Sequence, residues 1–308
     1  METVKFGKME ILAEYGRILK LEPTPGLNVF WNNSSNEKTS YGWFNPGGDR
    51  VWISPESELF MPDGTADSYT VPEGADPGKC SITKTDENSI EIVNEMAVKF
   101  FKYDRTLKLN MTRIIKELES NAPEGVAFAG YEQKLELEAK EPFSSELRPA
   151  LWSVLQLPPG GKIIFPVGKM VRFTGNMPEN KAENGIITLD VPSHDIPCKI
   201  GLPSEESKGI MAYANFDCAQ PYLVIRQFNV VPGGRYADAP LSAPQSPCVQ
   251  QFYFDDGALG GFGEMEYHSQ YLTPEEPAIV DTSYLRAYSG TREQLENILR
   301  KAFAKVIC

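Results

Sequence analysis

The sequence predicts an all-β protein, a large antiparallel sandwich or barrel finished by one C-terminal helix. Three observations lead there. Short runs of β-type residues, several alternating apolar and polar, recur along most of the 308 residues with turn residues between them. Repeated strand–helix–strand units are absent, which argues against a parallel α/β sheet. Sustained helical periodicity occurs in one place, at the end of the chain.

Taken in order, residues 9–22 (MEILAEYGRILKLE) read as a strand, a turn at Gly16 and a second strand. Residues 27–31 (LNVFW) form a short β-type run that ends in the polar loop 32–39. Residues 62–79 are rich in Pro, Gly and Asp and read as loop. Residues 81–85, 89–94, 96–103 and 106–118 read as a ladder of short strands joined by tight polar turns, and 131–139 (YEQKLELEA) alternates like a half-buried strand. Residues 151–156 and 162–167 flank a Pro-Pro-Gly-Gly turn. Further strands are expected at 186–191, 209–215, 222–228, 249–254, 263–268 and 284–288. At the end, Thr291 and Gln294 are spaced as a capping box. Leu295, Ile298, Leu299, Ala302, Phe303 and Val306 then make one apolar stripe. With no repeat, low-complexity tract or linker, residues 1–308 read as a single domain, with the helix at 291–306 packed on it.

Composition narrows the function. The net charge of −12 disfavours nucleic acid, whose phosphates demand basic patches, and disfavours anionic membrane surfaces. A neutral small-molecule ligand suits this charge better than a polyanion. The five cysteines, at 80, 198, 218, 248 and 308, show no zinc-type spacing and read as free thiols of a reducing compartment. The N-terminus has no apolar signal region and no run has the length of a membrane span, so a cytoplasmic location is expected. No phosphate-binding glycine pattern, nucleophile elbow or metal-ligand set is evident, so no cofactor or metal is expected.

One stretch concentrates chemistry: residues 47–56, GGDRVWISPE. Two glycines permit unusual backbone angles. In an extended segment Arg50, Trp52 and Ser54 then share one face, with Asp49 beside them and Glu56 following. A guanidinium beside an indole is a common way to hold a polar ring such as a sugar. By spacing alone, a turn leading into a strand with a core tryptophan is the simpler account. A second stretch, GEMEYHS, puts Glu264, Glu266 and His268 on one strand face by alternation. That face either lines a cleft or is merely solvated. The other histidine, His194, sits in a proline-flanked loop, and Lys199 is able to reach a sugar hydroxyl if it is not simply solvated.

Several segments together resemble the galactose mutarotase-like (aldose 1-epimerase-like) superfamily, in particular its uncharacterised, domain-of-unknown-function branch. They are GGDRVWISPE (47–56), LWSVLQLPPGG (151–161), Lys199-Ile-Gly201, Tyr236-Ala-Asp238, QFYFDDG (251–257) and GEMEYHS (263–269). The resemblance implies a β-supersandwich with a sugar-sized cleft on a concave face. It further implies that Arg50 helps hold a sugar and that Glu266 is a general base. The strand that would carry the acid histidine corresponds to 151–156, where this chain has Trp152 and Gln156. His268 and His194 are then the candidates for a relocated acid.

The expected function is saccharide binding, with cofactor-free acid–base chemistry at a sugar carbon if the protein is an enzyme. Catalytic candidates are Glu266, His268 and His194. Ligand-contacting candidates are Asp49, Arg50, Trp52, Glu56, Trp152, Gln156, Lys199 and Glu264, with Trp52 and Trp152 offering stacking surfaces. The alternatives are a non-catalytic carbohydrate-binding module and, on the same scaffold, a glycoside hydrolase or lyase using the pair Glu56 and Glu266.

Overall fold

A computed structural model describes residues 2–33, 38–39, 42–191, 197–255 and 257–307. His194 lies outside the described residues.

Numbered in chain order, the strands form two large sheets. The first runs β1 (Thr3–Phe6), β2 (Met9–Leu12), β3 (Arg17–Leu21), β4 (Asp49–Ser54), β9 (Ala150–Leu157), β18 (Gly263–His268), β17 (Gln250–Phe254), β14 (Cys198–Leu202), β11 (Val171–Thr174). The second runs β12 (Lys181–Glu183), β13 (Ile186–Asp190), β10 (Lys162–Pro166), β15 (Ile210–Asn215), β16 (Tyr222–Phe228), β19 (Ala278–Ser289), β8 (Ala127–Ala139), β7 (Arg105–Glu117), β6 (Ser89–Phe100), β5 (Cys80–Asp86). Every pairing among the described residues is antiparallel. The fold is all-β, two large antiparallel sheets packed face to face as a supersandwich.

Alternation sorts each strand's side chains between two environments. Leu155, Ile200, Phe252, Met265 and Tyr267 of the first sheet enter a common core with Phe165, Met211, Tyr213, Val224 and Leu285 of the second. On the outer face of the second sheet, helix α2 (Arg292–Ile307) packs its Leu295, Leu299 and Phe303 on Ile210, Ala212, Leu223 and Ile225 of β15 and β16. Its capping box forms: the Thr291 N–H donates to Gln294 Oε1 at 2.9 Å, and the Gln294 N–H donates to Thr291 Oγ1 at 3.4 Å.

Two local expectations change. Residues 27–31 do not form a regular strand, although Val29 and Phe30 are buried. The Asn28 side chain takes over local backbone partners, accepting from the Leu21 and Phe30 N–H groups and donating to the Leu19 and Phe30 carbonyls. Such a side chain competes with a strand ladder. The two short strands expected on either side of Glu95 are one continuous strand, β6. Its Asn94 points out of the ladder to donate to the Gly74 carbonyl and accept from the Lys79 N–H, so an apparent turn signal is a tether for the loop beside it.

Asp49 is also corrected. Its neighbour Arg50 faces outward, so alternation sends Asp49 inward, between the sheets, where it is fully buried. There it accepts from Arg113 Nη2 on β7 at 2.9 Å, from Arg226 Nη2 on β16 at 2.6 Å and from the Tyr131 hydroxyl on β8. Arg226 also donates to Ser153 Oγ on β9 at 3.0 Å. Asp49 is thus a tie between sheets and not part of the cavity lining described below. Removing one partner of a buried ion cluster strands the others without counter-charge. Asp49→Ala is expected to lower folding stability by about 3–5 kcal/mol in a urea titration, leaving two buried guanidinium groups uncompensated.

Candidate functional site

Registers on the outer face of the first sheet assemble the site. Trp52 is opposite Trp152 and Arg50 opposite Val154 across β4 and β9. Gln156 is opposite Glu264, Val154 opposite Glu266 and Trp152 opposite His268 across β9 and β18. Glu264 is opposite Tyr253, and Tyr253 opposite Lys199, across β18, β17 and β14. Directly paired residues project to one side, so five strands present a single polar-aromatic surface. The glycines that open β4 are required there. Gly47 and Gly48 have φ of 92° and 79°, and a Cβ on either would lie 2.3 Å from a backbone oxygen, of Trp31 and Ile18 respectively.

The segment after β4 roofs this surface. It starts with the single turn α1 (Glu56–Leu59) and brings Met61, Ala66, Tyr69 and Val71 over the sheet. Asp76 anchors it, accepting from Trp52 Nε1 at 2.9 Å and from Arg17 Nη2. From the other side, Asp255 accepts from the N–H groups of Gly257, Leu259 and Gly261 at 2.8–3.0 Å. That holds the turn delivering Leu259 and Phe262 to the rim.

The cavity is about 200 Å³. At about 30 Å³ per water in the liquid, that is room for roughly seven waters, or one polyhydroxylated six-membered ring. Arg50, Trp52, Glu56, Trp152, Gln156, Lys199, Glu264 and Glu266 all line it. A larger groove of about 870 Å³ lies between α2 and strands β10, β12 and β13. Its charged groups are mostly exposed, and it contains none of the buried, unpaired polar atoms found in the smaller cavity.

Charges in the cavity are arranged in pairs. Arg50 Nη2 meets Glu264 Oε1 at 3.0 Å, and Gln156 Nε2 donates to the same oxygen at 2.8 Å. Lys199 Nζ meets Glu56 Oε2 at 2.9 Å and Glu266 Oε2 at 3.2 Å. Trp152 Nε1 donates to that Glu266 oxygen at 2.6 Å. Among the described residues, Glu266 Oε1, Gln156 Oε1 and the Nε and Nη1 of Arg50 are buried without a hydrogen-bond partner. Burial pushes Glu266 up, Lys199 pulls it back, and Glu264 and Glu56 add to the rise; the net position is about 8. Burial works to depress Lys199, but the Glu266 and Glu56 carboxylates outweigh it and hold the ammonium above the ordinary lysine value.

His268 does not reach the cavity. It is buried behind Trp152, stacked on the indole at 5.7 Å between ring centres with 14° between planes. Its Nδ1 is 3.1 Å from Ser54 Oγ. Burial and the Lys199 charge push its pKa well below the usual histidine value, so the ring is neutral. It braces the indole that holds Glu266 and is not placed to donate to a ligand. The two tryptophans also differ from the stacking surfaces expected of them. The Arg50 guanidinium lies 4.0 Å from the Trp52 ring centre, and the Lys199 ammonium lies 4.6 Å from that of Trp152. Both indoles stabilise the protein's own cations.

Sequence reasoning missed Tyr69, Trp43, Tyr253, Leu259 and Phe262, all lining the cavity. Tyr69 lies in what reads only as loop; burial first, then Glu56, raises its hydroxyl well above the usual tyrosine value. No spacing marks it. The QFYFDDG segment contained Tyr253, but as a resemblance motif and not as a wall.

Structural comparison agrees with the architecture. A galactose mutarotase-like protein from Clostridium acetobutylicum aligns with a TM-score of 0.57 at 10% identity, over 92% of this chain and 94% of that one. A candidate aldose 1-epimerase from Escherichia coli K12 aligns with a TM-score of 0.54 at 11% identity, over 92% and 97%. Another, from Klebsiella pneumoniae, aligns at 0.51 and 11%, over 97% and 81%. No family model matches the sequence, and no curated protein does. The likeness is one of fold, shared with aldose 1-epimerase and galactose mutarotase-like proteins.

Glu266 gives stability a pH dependence of definite sign. The folded chain keeps its proton to about pH 8, whereas the unfolded chain releases it near 4.5, so this group's contribution to stability falls as pH rises between those values. The urea midpoint of Glu266→Gln is expected to lose that segment of slope. The Trp152 N–H lowers the Glu266 pKa. Trp152→Phe is therefore expected to raise it further, read by carboxyl-carbon NMR titration.

Proposed function

We propose that the cavity binds one saccharide ring, or a saccharide derivative, and carries out cofactor-free acid–base chemistry at its anomeric carbon with Glu266 as base. One observation carries this reading. Glu266 is held by its Oε2 between Trp152 and Lys199, while its Oε1 has no partner among the described residues and the residue lines the cavity. A fixed carboxyl with one uncommitted oxygen is suited to take the proton of a C1 hydroxyl. A pKa near 8 lies close to neutral pH, where a general base is most effective. Lys199, a cation lining the cavity, is a donor toward a ring oxygen. The free N–H groups of Arg50 and the free Oε1 of Gln156 complement ring hydroxyls, which both donate and accept.

A non-catalytic saccharide-binding protein is favoured by one observation: the described histidine is walled off from the cavity by Trp152. Anomer equilibration of a panel of aldoses, followed by NMR, separates the two. As an enzyme, the protein accelerates equilibration for at least one sugar, with a rate that rises with pH toward a plateau above about 8. Glu266→Gln then reduces the rate by roughly 10²–10⁴-fold. Equal rates for wild type and variant across the panel, with saccharide binding retained, would establish the binding protein instead.

A further inference from the structure

Once Glu266 is ionised, the cavity's charges do not balance. Among the described residues, three carboxyl groups, Glu56, Glu264 and Glu266, face two cationic groups, Arg50 and Lys199. Arg50 is committed to Glu264 at 3.0 Å and Lys199 most closely to Glu56 at 2.9 Å. Glu266 shares Lys199 at the longer 3.2 Å and has no cation of its own. Nearby charges among the described residues do not supply one. Arg17 is paired with Asp76. Asp238, behind the wall, accepts from the Glu56 N–H at 2.6 Å and from Gln251 Nε2 at 2.7 Å. The π-faces of Trp52 and Trp152 already serve Arg50 and Lys199.

Resting on the saccharide reading above, we infer that the cavity selects for a sugar bearing a free amine beside the anomeric carbon and against sugars bearing phosphate or carboxylate, with Glu266 Oε1 accepting from the ammonium. An amine there supplies the missing third cation. Among the described residues Oε1 has no partner, and one carboxylate oxygen has two lone pairs, enough for a C1 hydroxyl and a neighbouring ammonium together. A phosphate or uronate brings a further negative charge into a buried site whose two cations are already paired. Burial keeps that repulsion from being screened. Because Glu266 sits near 8 in the free protein, an ammonium binding at pH 7 displaces its proton into solution.

Calorimetry at pH 7 with glucose, glucosamine, N-acetylglucosamine, glucuronate and glucose 6-phosphate tests this. Glucosamine is expected to bind about tenfold more tightly than glucose, the scale of one charge-assisted hydrogen bond. Its heat is expected to vary with the ionisation enthalpy of the buffer, as proton release requires. N-acetylglucosamine is expected to lose the gain, and the two anionic sugars to bind more weakly than glucose. Glu266→Gln and, independently, Glu56→Gln are each expected to bring the glucosamine-to-glucose ratio near one. A ratio is internal to each variant, and thermal melts verify that each is folded. Neutral sugars that bind while glucosamine gains nothing, or glucose 6-phosphate that binds more tightly than glucose, overturn the amine selection and leave the saccharide reading standing. Failure of every sugar on the panel to bind overturns both.

Discussion

A buried carboxylate between two sheets is the constraint from which the rest follows. Asp49 gathers Arg113, Arg226 and Tyr131 from three strands of the facing sheet, and its carboxylate is fully enclosed. Such a cluster is costly to desolvate and tolerable only with its partners in place, so it specifies how the two sheets face each other. Because side chains alternate, the same requirement that turns Asp49 inward turns Arg50 and Trp52 outward. The cavity wall on β4 is thus set by a core interaction one residue away.

Across the sheet the site extends the same logic. Strand pairing brings Arg50, Gln156, Glu264, Glu266 and Lys199 onto one surface, and the roof segment removes that surface from water. Enclosure gives the charges their character. An exposed strand face of glutamates is ordinary, but three carboxyls sharing two cations under a largely apolar roof cannot all be equally satisfied. Glu266, fully buried and sharing its cation, has a pKa raised first by burial and then by its carboxyl neighbours, and an uncommitted oxygen among the described residues.

Much of the fold was legible from local pattern. Turn residues between β-type runs, and the capped helix at the end, follow from backbone preferences that a short window contains. Misreadings came where a side chain replaced the backbone as partner, as Asn28 does beside β3, or tethered another segment, as Asn94 does. The face shared by Glu264, Glu266 and His268 was legible as a period of two, but pattern alone cannot say what covers a face. His268 lies on that face and yet falls behind an indole, while Tyr69, in a loop with no periodicity, reaches the cavity.

By itself, then, the sequence determined the class of architecture, the closing helix and the strand faces on which Arg50, Trp52 and Glu266 lie, because these depend on neighbours a few residues apart. The tertiary structure decided which of those faces encloses a cavity, that Asp49 binds the sheets together, and that Glu266 shares its cation with Glu56. Those outcomes depend on residues up to some two hundred positions apart, and only folding brings them within hydrogen-bonding distance.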